Sequence, residues 1–201
     1  MKLYLIRHGE TDWSLSGQHT GTTDLALTPR GEEESRALAP RLRTLAFTQV
    51  LASPRLRARQ TCELAGLSAA SKIEPDLSEW DYGRYEGQRS ADIHREMPDW
   101  NIWRDGCPGG ESPADVSSRA DRLIAALCAM PGTMALFSHG QFGAALAVRW
   151  IGLSVIEGQH FALHTASVSL LGVDPHHPDR RTIELWNERQ AMPSDDHRAP
   201  E

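Results

Sequence analysis

Short apolar runs alternate with helical patterns along the chain, and this alternation most constrains its fold. The apolar runs 3–6, 49–52 and 133–137 each end at a loop, as buried strands do. Helical patterns begin at Thr28-Pro29 and Ser112-Pro113, where a hydroxyl residue precedes a proline suited to the first helical position. Strands that alternate with helices predict an α/β domain with a mostly parallel central sheet.

Weaker signals complete the predicted order of elements. Leu38, Leu42 and Leu45 continue a helical spacing behind Thr28-Pro29, and Ile73 opens a brief extended segment. The remaining predicted elements are a helix from Arg57 to a stop at Gly66, a helix over 142–151, and strands over 166–173 and 182–186.

Two of the predicted strands end in the same dipeptide. His8-Gly9 follows the first strand, and His139-Gly140 follows a later one. Either dipeptide alone is typical of a simple turn, but two at matching strand ends indicate a shared site, because ligands of such sheets bind beyond the carboxyl ends of the strands.

Arginines accompany both histidines at this predicted edge. Arg7 precedes His8, and the segment 53–57 leaves another strand with Arg57 at its end. Guanidinium groups bind phosphate with paired hydrogen bonds, and the starts of the following helices add backbone donors. The fixed positive charge favours a phosphoryl group and disfavours a metal ion, so we expect no metal and no cofactor.

Five motifs in order resemble the histidine phosphatase superfamily, in its phosphoglycerate-mutase-like branch. They are LIRHGET at 5–11, SPRLRARQT at 53–61, LSEWDYGRYEG at 77–87, GGES at 109–112 and SHG at 138–140. The resemblance covers roughly residues 3–150 and implies a three-layer αβα sandwich. We expect a single domain over 1–189 with a small cap insertion at about 88–111. The polar, proline-containing residues 190–201 predict a flexible tail.

The same resemblance implies catalytic roles. His8 is then the nucleophile that becomes phosphohistidine, while Arg7, Arg57 and His139 hold the phosphoryl oxygens. Glu79 is the proton donor to the leaving oxygen. Alternatives in the sequence are Arg55 and Arg59, which we expect to be surface charges beside Arg57, and Asp81 and Glu86 beside Glu79; Glu10 is expected to position its loop.

The expected substrate-binding residues follow the nucleophile loop and extend into the cap. They are Ser14, Gln18, Thr20, Gly21, Arg104 and Gly140. Many family members carry asparagine where Ser14 stands. Arg104 is a candidate for a distal anionic group, and Trp100 and Trp103 either pack the cap, which we favour, or stack on a sugar.

The cap also bears on the reaction type. Its sequence is similar to that of sedoheptulose-1,7-bisphosphatase-like phosphatases, and a sugar phosphate or bisphosphate is the expected substrate. Phosphoglycerate mutases of the family carry a lysine and adjacent arginines in the cap, whereas this cap has Arg89, Arg95 and Arg104, which are not adjacent. We therefore expect hydrolysis, with mutase action and a non-catalytic phospho-ligand module as the alternatives.

Charge and cysteine content limit the partners. The net charge is −6 and the isoelectric point is about 5.8, which argues against nucleic acid and anionic membranes. Three cysteines without a C-x-x-C pair favour a reducing, cytoplasmic location. The expected partner is a small-molecule phosphate ester, and a homodimer is the assembly considered.

Nine histidines are many for such a chain, and most are not needed by this chemistry. A rival hypothesis is a metal hydrolase that uses His164, His176, His177 and His197. Their spacing does not match metal ligands, so a solvated loop is the favoured interpretation.

Overall fold

The computed structural model describes residues 1–190 and shows a six-stranded sheet between two layers of helices. The strands are β1 (Lys2–Arg7), β2 (Gln49–Ala52), β3 (Ser71–Ile73), β4 (Thr133–Ser138), β5 (Val168–Val173) and β6 (Arg181–Glu188). The helices are α1 (Asp12–Ser16), α2 (Pro29–Ala37), α3 (Ala39–Leu42), α4 (Leu56–Leu64), α5 (Ser90–Glu96), α6 (Ile102–Asp105), α7 (Pro113–Cys128) and α8 (Gly140–Trp150). Short 3₁₀ turns cover Ser68–Ala70, Pro75–Leu77, Gly83–Tyr85 and Val155–His160.

The strand order is β3-β2-β4-β1-β5-β6. The four strands β3, β2, β4 and β1 pair in parallel, whereas β5 is antiparallel to both of its neighbours. This arrangement confirms the predicted α/β class with a mostly parallel sheet.

The alternation of side chains along β1 explains the three layers. Leu3 and Leu5 belong to the apolar core that includes residues of α7 and α8, while Ile6 belongs to the core shared with α3 and α4. Successive side chains of a strand point to opposite faces, so a strand buried on both sides stabilises two separate cores. The apolar run at 3–6 therefore requires helices on both faces of the sheet.

Both predicted helix starts are confirmed, but helix α2, which begins after Thr28, is shorter than the leucine spacing predicted. The Thr28 hydroxyl accepts a hydrogen bond from the N–H of Gly31, and Ser112 forms reciprocal capping bonds with Asp115. Helix α2 then ends at Ala37, since Pro40 has no N–H to bond to the carbonyl of Arg36 and its ring crowds that carbonyl.

Other boundaries differ by a few residues from the sequence prediction. Ile73 ends strand β3 instead of opening an extended segment, and α8 begins at Gly140, directly after His139. Strand β5 begins at Val168 because Ala166 has a left-handed backbone, with φ of 49°.

Helices α5 and α6 lie within the segment 88–111 that the sequence suggested as a cap. The cap assignment and the single domain over 1–189 stay predictions. The predicted flexible tail over 190–201 lies, apart from Gln190, outside the described residues. Within residues 1–190, no helix is long and apolar enough to cross a membrane.

Candidate active site

The register of the parallel strands brings the two histidines together. Arg7 at the end of β1 pairs with Ser138 at the end of β4, so the following residues, His8 and His139, leave the sheet side by side. Their ring centroids are 5.2 Å apart, edge to face. Ser53 follows β2 at the same edge, and its backbone N–H donates to the carbonyl of Phe137 at 2.9 Å. The expected convergence of the strand ends is therefore observed.

The imidazole of His8 is fixed in one tautomer. Its Nδ1 lies 2.7 Å from the carbonyl oxygen of Gly9. Because a carbonyl can only accept, Nδ1 carries the proton and Nε2 keeps its lone pair. Burial lowers the pKa of His8 well below its ordinary value of 6.5, and the charges of Arg57 and Arg7 lower it further. His8 is thus a neutral imidazole near pH 7, and the lone pair of its Nε2 is available.

Arg7 and Arg57 are anchored to backbone carbonyls beside this imidazole. Arg7 donates to the carbonyl of Leu163, and Arg57 donates to those of Thr23 at 3.0 Å and Thr20 at 2.8 Å. Burial lowers the pKa of both guanidinium groups from its ordinary value, and the carboxylate of Glu79 opposes this. Arginine stays charged in proteins, so two fixed positive charges flank His8.

Unpaired nitrogens cluster around the same place. Within residues 1–190, the buried side-chain nitrogens that lack a hydrogen-bond partner are Nε of Arg7, Arg55 and Arg57 and Nδ1 of His139. Buried donors are normally paired, because an unmade bond costs about 1–3 kcal/mol. Donors of this kind match the oxygens of a phosphoryl group.

Arg55 departs from its expected place at the surface. It is only partly exposed and donates to the carbonyl of Thr22 at 2.9 Å, while its charge contributes to lowering the pKa of His139. Arg59 is exposed, as expected.

Glu79 lies at the start of α8. Its carboxylate accepts from the N–H groups of Gln141 at 3.0 Å and Phe142 at 2.7 Å, and it lines the cavity in front of His8. The two alternative carboxylates instead stabilise loops. Asp81 accepts from the N–H of Gly83 at 2.9 Å, and Glu86 accepts from those of Gly21 and Thr23.

Arg119 on α7 supports the loop that carries Glu79, and the sequence interpretation missed it. Its guanidinium donates to both carboxylate oxygens of Glu111 at 2.8 and 2.7 Å. It also donates to the carbonyls of Asp76, Ser78 and Glu79. One arginine within an amphipathic helix has the pattern of a surface charge, so the sequence carried no signal for this role.

A cavity of about 390 Å³ opens in front of His8. Of the catalytic candidates, Arg7, His8 and Glu79 line it, whereas Arg57 and His139 are fully buried beside it. The predicted substrate residues Ser14, Gln18, Thr20 and Gly140 also line the cavity.

Ser14 reaches the cavity with its hydroxyl already engaged. The hydroxyl donates to the carbonyl of Thr11 at 2.9 Å and accepts from the N–H of Thr11 at 2.8 Å. The accepted bond caps α1, and the one hydroxyl proton is already donated to the Thr11 carbonyl, so a phosphate contact through that proton requires breaking the donated bond.

The structure does not bring Gly21 and Arg104 to the cavity wall. The N–H of Gly21 donates to the Glu86 carboxylate at 3.0 Å. The guanidinium of Arg104 forms an exposed ion pair with Asp105 at 2.8 Å and bonds to the carbonyl of Asp99. Arg104 was expected to reach the substrate, but its guanidinium pairs with the next residue of α6, Asp105.

Trp100 and Trp103 pack in the apolar core, which was the favoured prediction, and Trp103 also lines the cavity. His19 also lines it, with its ring stacked on Tyr82 at 4.6 Å between centroids.

Among the described residues, the rival metal ligands do not form a cluster. His164 bonds to Asn187 and His177 to Asp174, and His197 lies outside the described residues. Within residues 1–190, no group of three or more histidine, cysteine, aspartate or glutamate residues could hold a metal ion.

Comparison with known proteins gives consistent similarities. A family model described as the histidine phosphatase superfamily (branch 1) matches residues 3–189. An acid phosphatase of Mycobacterium tuberculosis is 43% identical over 177 residues, covering 86% of this chain and 87% of the relative. A sedoheptulose 1,7-bisphosphatase of Saccharomyces cerevisiae is 38% identical over 184 residues, covering 75% of this chain and 68% of the relative. A solved structure from an open reading frame of Mycobacterium tuberculosis has a TM-score of 0.88 at 37% identity, covering 94% of this chain and 98% of that chain.

Proposed function

The chain belongs to the histidine phosphatase superfamily and is a phosphoric monoester hydrolase, and we propose that it acts through a phosphohistidine at His8 without a metal ion. The observation that carries this proposal is the hydrogen bond from Nδ1 of His8 to the Gly9 carbonyl, 2.7 Å long. That bond leaves Nε2 unprotonated between two arginines, as a phosphoryl acceptor requires.

The first step transfers the phosphoryl group to the protein. Nε2 of His8 attacks phosphorus, and the bond between phosphorus and the ester oxygen breaks. The proton of Glu79 passes to that oxygen, so the leaving group departs as an alcohol. Arg7 and Arg57 hold the phosphoryl oxygens and stabilise the charge that spreads over them.

The second step returns the protein to its starting state. A water molecule attacks phosphorus, Glu79 takes the proton of that water, and the bond between nitrogen and phosphorus breaks. Inorganic phosphate leaves and His8 is again neutral. Fixed positive charge already supplies the electrostatic stabilisation, so this scheme assigns no role to a cation.

The proposed substrate is a small phosphorylated metabolite, a sugar phosphate or bisphosphate. The name of the yeast relative, at 38% identity, supports this class. A cavity of about 390 Å³ is at the lower end of the usual range for small-molecule pockets. A cytoplasmic location and a homodimer stay predictions.

A phosphate-release screen tests the proposal. Purified protein is assayed on para-nitrophenyl phosphate and a panel of sugar phosphates, with His8→Ala as the blank and with and without EDTA. We expect release by the wild type in both conditions and none by His8→Ala. Activity that disappears with EDTA and returns with zinc would contradict the scheme.

Mutase action is the alternative reaction on the same site. The charges of the cap argue against it, because Arg89 and Arg95 both pair with Asp92, and Arg104 pairs with Asp105. Incubation with 3-phosphoglycerate and 2,3-bisphosphoglycerate distinguishes the two. Fast isomerisation without phosphate release would establish the mutase, and inactivity on every ester would favour a binding module.

A further inference from the structure

The wall of the cavity changes character away from the strand-end loops. Near His8 it carries Arg7 and Glu79, whereas the rest is contributed by α1 and its following loop, the cap, and the segment 158–163. We call this second part the neutral wall; it comprises Trp13, Gln18, His19, Trp103, Gln159 and Phe161. Its members are aromatic rings and uncharged hydrogen-bonding groups.

His19 does not add positive charge to this wall near pH 7. Burial lowers its pKa from the ordinary value of 6.5, which the carboxylate of Glu86 only partly opposes. The ring stacks on Tyr82 and its Nε2 lies 3.2 Å from the hydroxyl of Ser90. It therefore presents a neutral ring to the cavity.

Two arginines close to the neutral wall are engaged outside the cavity. Arg89 lies opposite Gln18 in a β-bridge and pairs at 2.9 Å with Asp92, a carboxylate that it shares with Arg95. Arg104, which follows Trp103, pairs with Asp105 at 2.8 Å. Neither guanidinium group lines the cavity.

Two amides offer hydrogen bonds to a neutral ligand. The side chain of Gln141 lines the cavity at the start of α8 and makes no hydrogen bond to any other group in residues 1–190. Gln159 accepts from Asn101 at 3.1 Å through its Oε1, which leaves its Nε2 protons available. An amide supplies both a donor and an acceptor, and a hydroxyl group requires both.

We propose that the group carried by the phosphate of the substrate is an uncharged, hydroxyl-bearing one, so that the enzyme prefers sugar-like monophosphates to bisphosphates and phosphorylated acids. An anion placed against the neutral wall loses hydration without gaining a cation, which is unfavourable. Hydroxyl groups can bond to the amides while the carbon skeleton covers the aromatic rings. This inference rests on the proposed phosphatase function and narrows its substrate class.

The test uses pairs of esters that differ by one anionic group. Glycerol 3-phosphate is compared with 3-phosphoglycerate, and fructose 6-phosphate with fructose 1,6-bisphosphate, by phosphate release. We expect kcat/KM to be greater for the member of each pair that has no second anionic group, by about tenfold or more. Equal or greater kcat/KM for the members with the second anionic group would overturn the inference.

Two substitutions at Gln159 test whether the neutral wall causes this substrate preference. Gln159→Lys places a cation on the neutral wall, and Gln159→Met is its matched control, because both variants lose the bond to Asn101. Gln159→Lys should reduce the preference severalfold more than Gln159→Met, which loses the amide but adds no cation. An equal preference in the two variants would overturn the inference.

Failure of the underlying function has a different signature. If the wild type releases no phosphate from any member of the pairs or from para-nitrophenyl phosphate, the phosphatase proposal itself fails. If it releases phosphate and His8→Ala does not, the pairs test the substrate class alone.

Discussion

Nε2 of His139 lies 2.7 Å from Oγ of Ser53, and both side chains are fully buried. The same hydroxyl oxygen accepts from the N–H of Arg55 at 3.3 Å. We expect the hydroxyl proton to lie in the bond to Nε2, which leaves the ring proton on Nδ1, a nitrogen without a partner within residues 1–190. Ser53 would then position His139 as a donor to the phosphoryl group.

Ser53→Ala should lower kcat by about tenfold to a hundredfold, because a small misplacement of a catalytic group has effects of this size. Ser53→Thr keeps the hydroxyl and is the matched control, expected to retain most activity. Steady-state kinetics, with circular dichroism as the check on folding, measure the outcome. An unchanged kcat in well-folded Ser53→Ala would refute the role.

In the pH profile of kcat/KM, the midpoint of the acid limb should lie well below pH 6.5. Burial and two arginines lower the pKa of His8, so the imidazole stays neutral and nucleophilic into the acidic range. Arg57→Gln removes one of these charges and should move the limb of kcat/KM to higher pH, whereas Arg57→Lys should not. A wild-type limb centred at 6.5 or above would contradict this account.

Conformational stability should fall as the pH falls below 6.5. The pKa values of His8 and His139 are lowered in the folded protein, so the unfolded chain binds more protons in the window between the folded values and 6.5. Each histidine contributes a slope of up to about 1.4 kcal/mol per pH unit in that window. Urea unfolding at several pH values measures it.

The control for this slope is the double variant His8→Asn, His139→Gln. Between pH 6.5 and 5, the free energy of unfolding of this variant should depend less steeply on pH than that of the wild type. Identical slopes in both proteins would show that other groups cause the loss of stability.

Arg119→Met should destabilise the fold by about 2–3 kcal/mol, since the partly buried Glu111 carboxylate loses its charged partner and keeps the N–H of Asp81. It should also lower kcat, because Arg119 holds the backbone that carries Glu79. The matched control is Arg122→Met on the same helix, which breaks an exposed pair with Asp76 and should cost about 1 kcal/mol or less. Denaturant unfolding with equal losses in both variants would exclude a special role for Arg119.

The sequence predicted those features that depend on local pattern. Apolar runs gave β1, β2 and β4, and parallel pairing of strand ends predicted that His8 and His139 would lie together. The break between α2 and α3 also had a sequence signal, Pro40, which the leucine spacing obscured.

The features that the sequence did not predict depend on tertiary contacts. Arg119 is buried where it donates to the carbonyl of Asp76 in the loop 76–81. Arg55 is half-buried where it donates to the carbonyl of Thr22, which is distant in sequence. Arg104 directly follows Trp103, which lines the cavity, but its guanidinium pairs with Asp105 and does not line the cavity. The periodicity of apolar residues along the chain does not predict such contacts.

The central claim is that a phosphoryl group passes through Nε2 of His8. The most direct measurement is a single-turnover reaction with para-nitrophenyl phosphate, quenched in alkali because phosphohistidine is labile in acid, and analysed by mass spectrometry of the peptide that contains His8. The account predicts that phosphorylated His8 forms and decays at rates sufficient for turnover, and that it is absent in His8→Ala. Full turnover with no phosphoryl group on His8 at any time would contradict it.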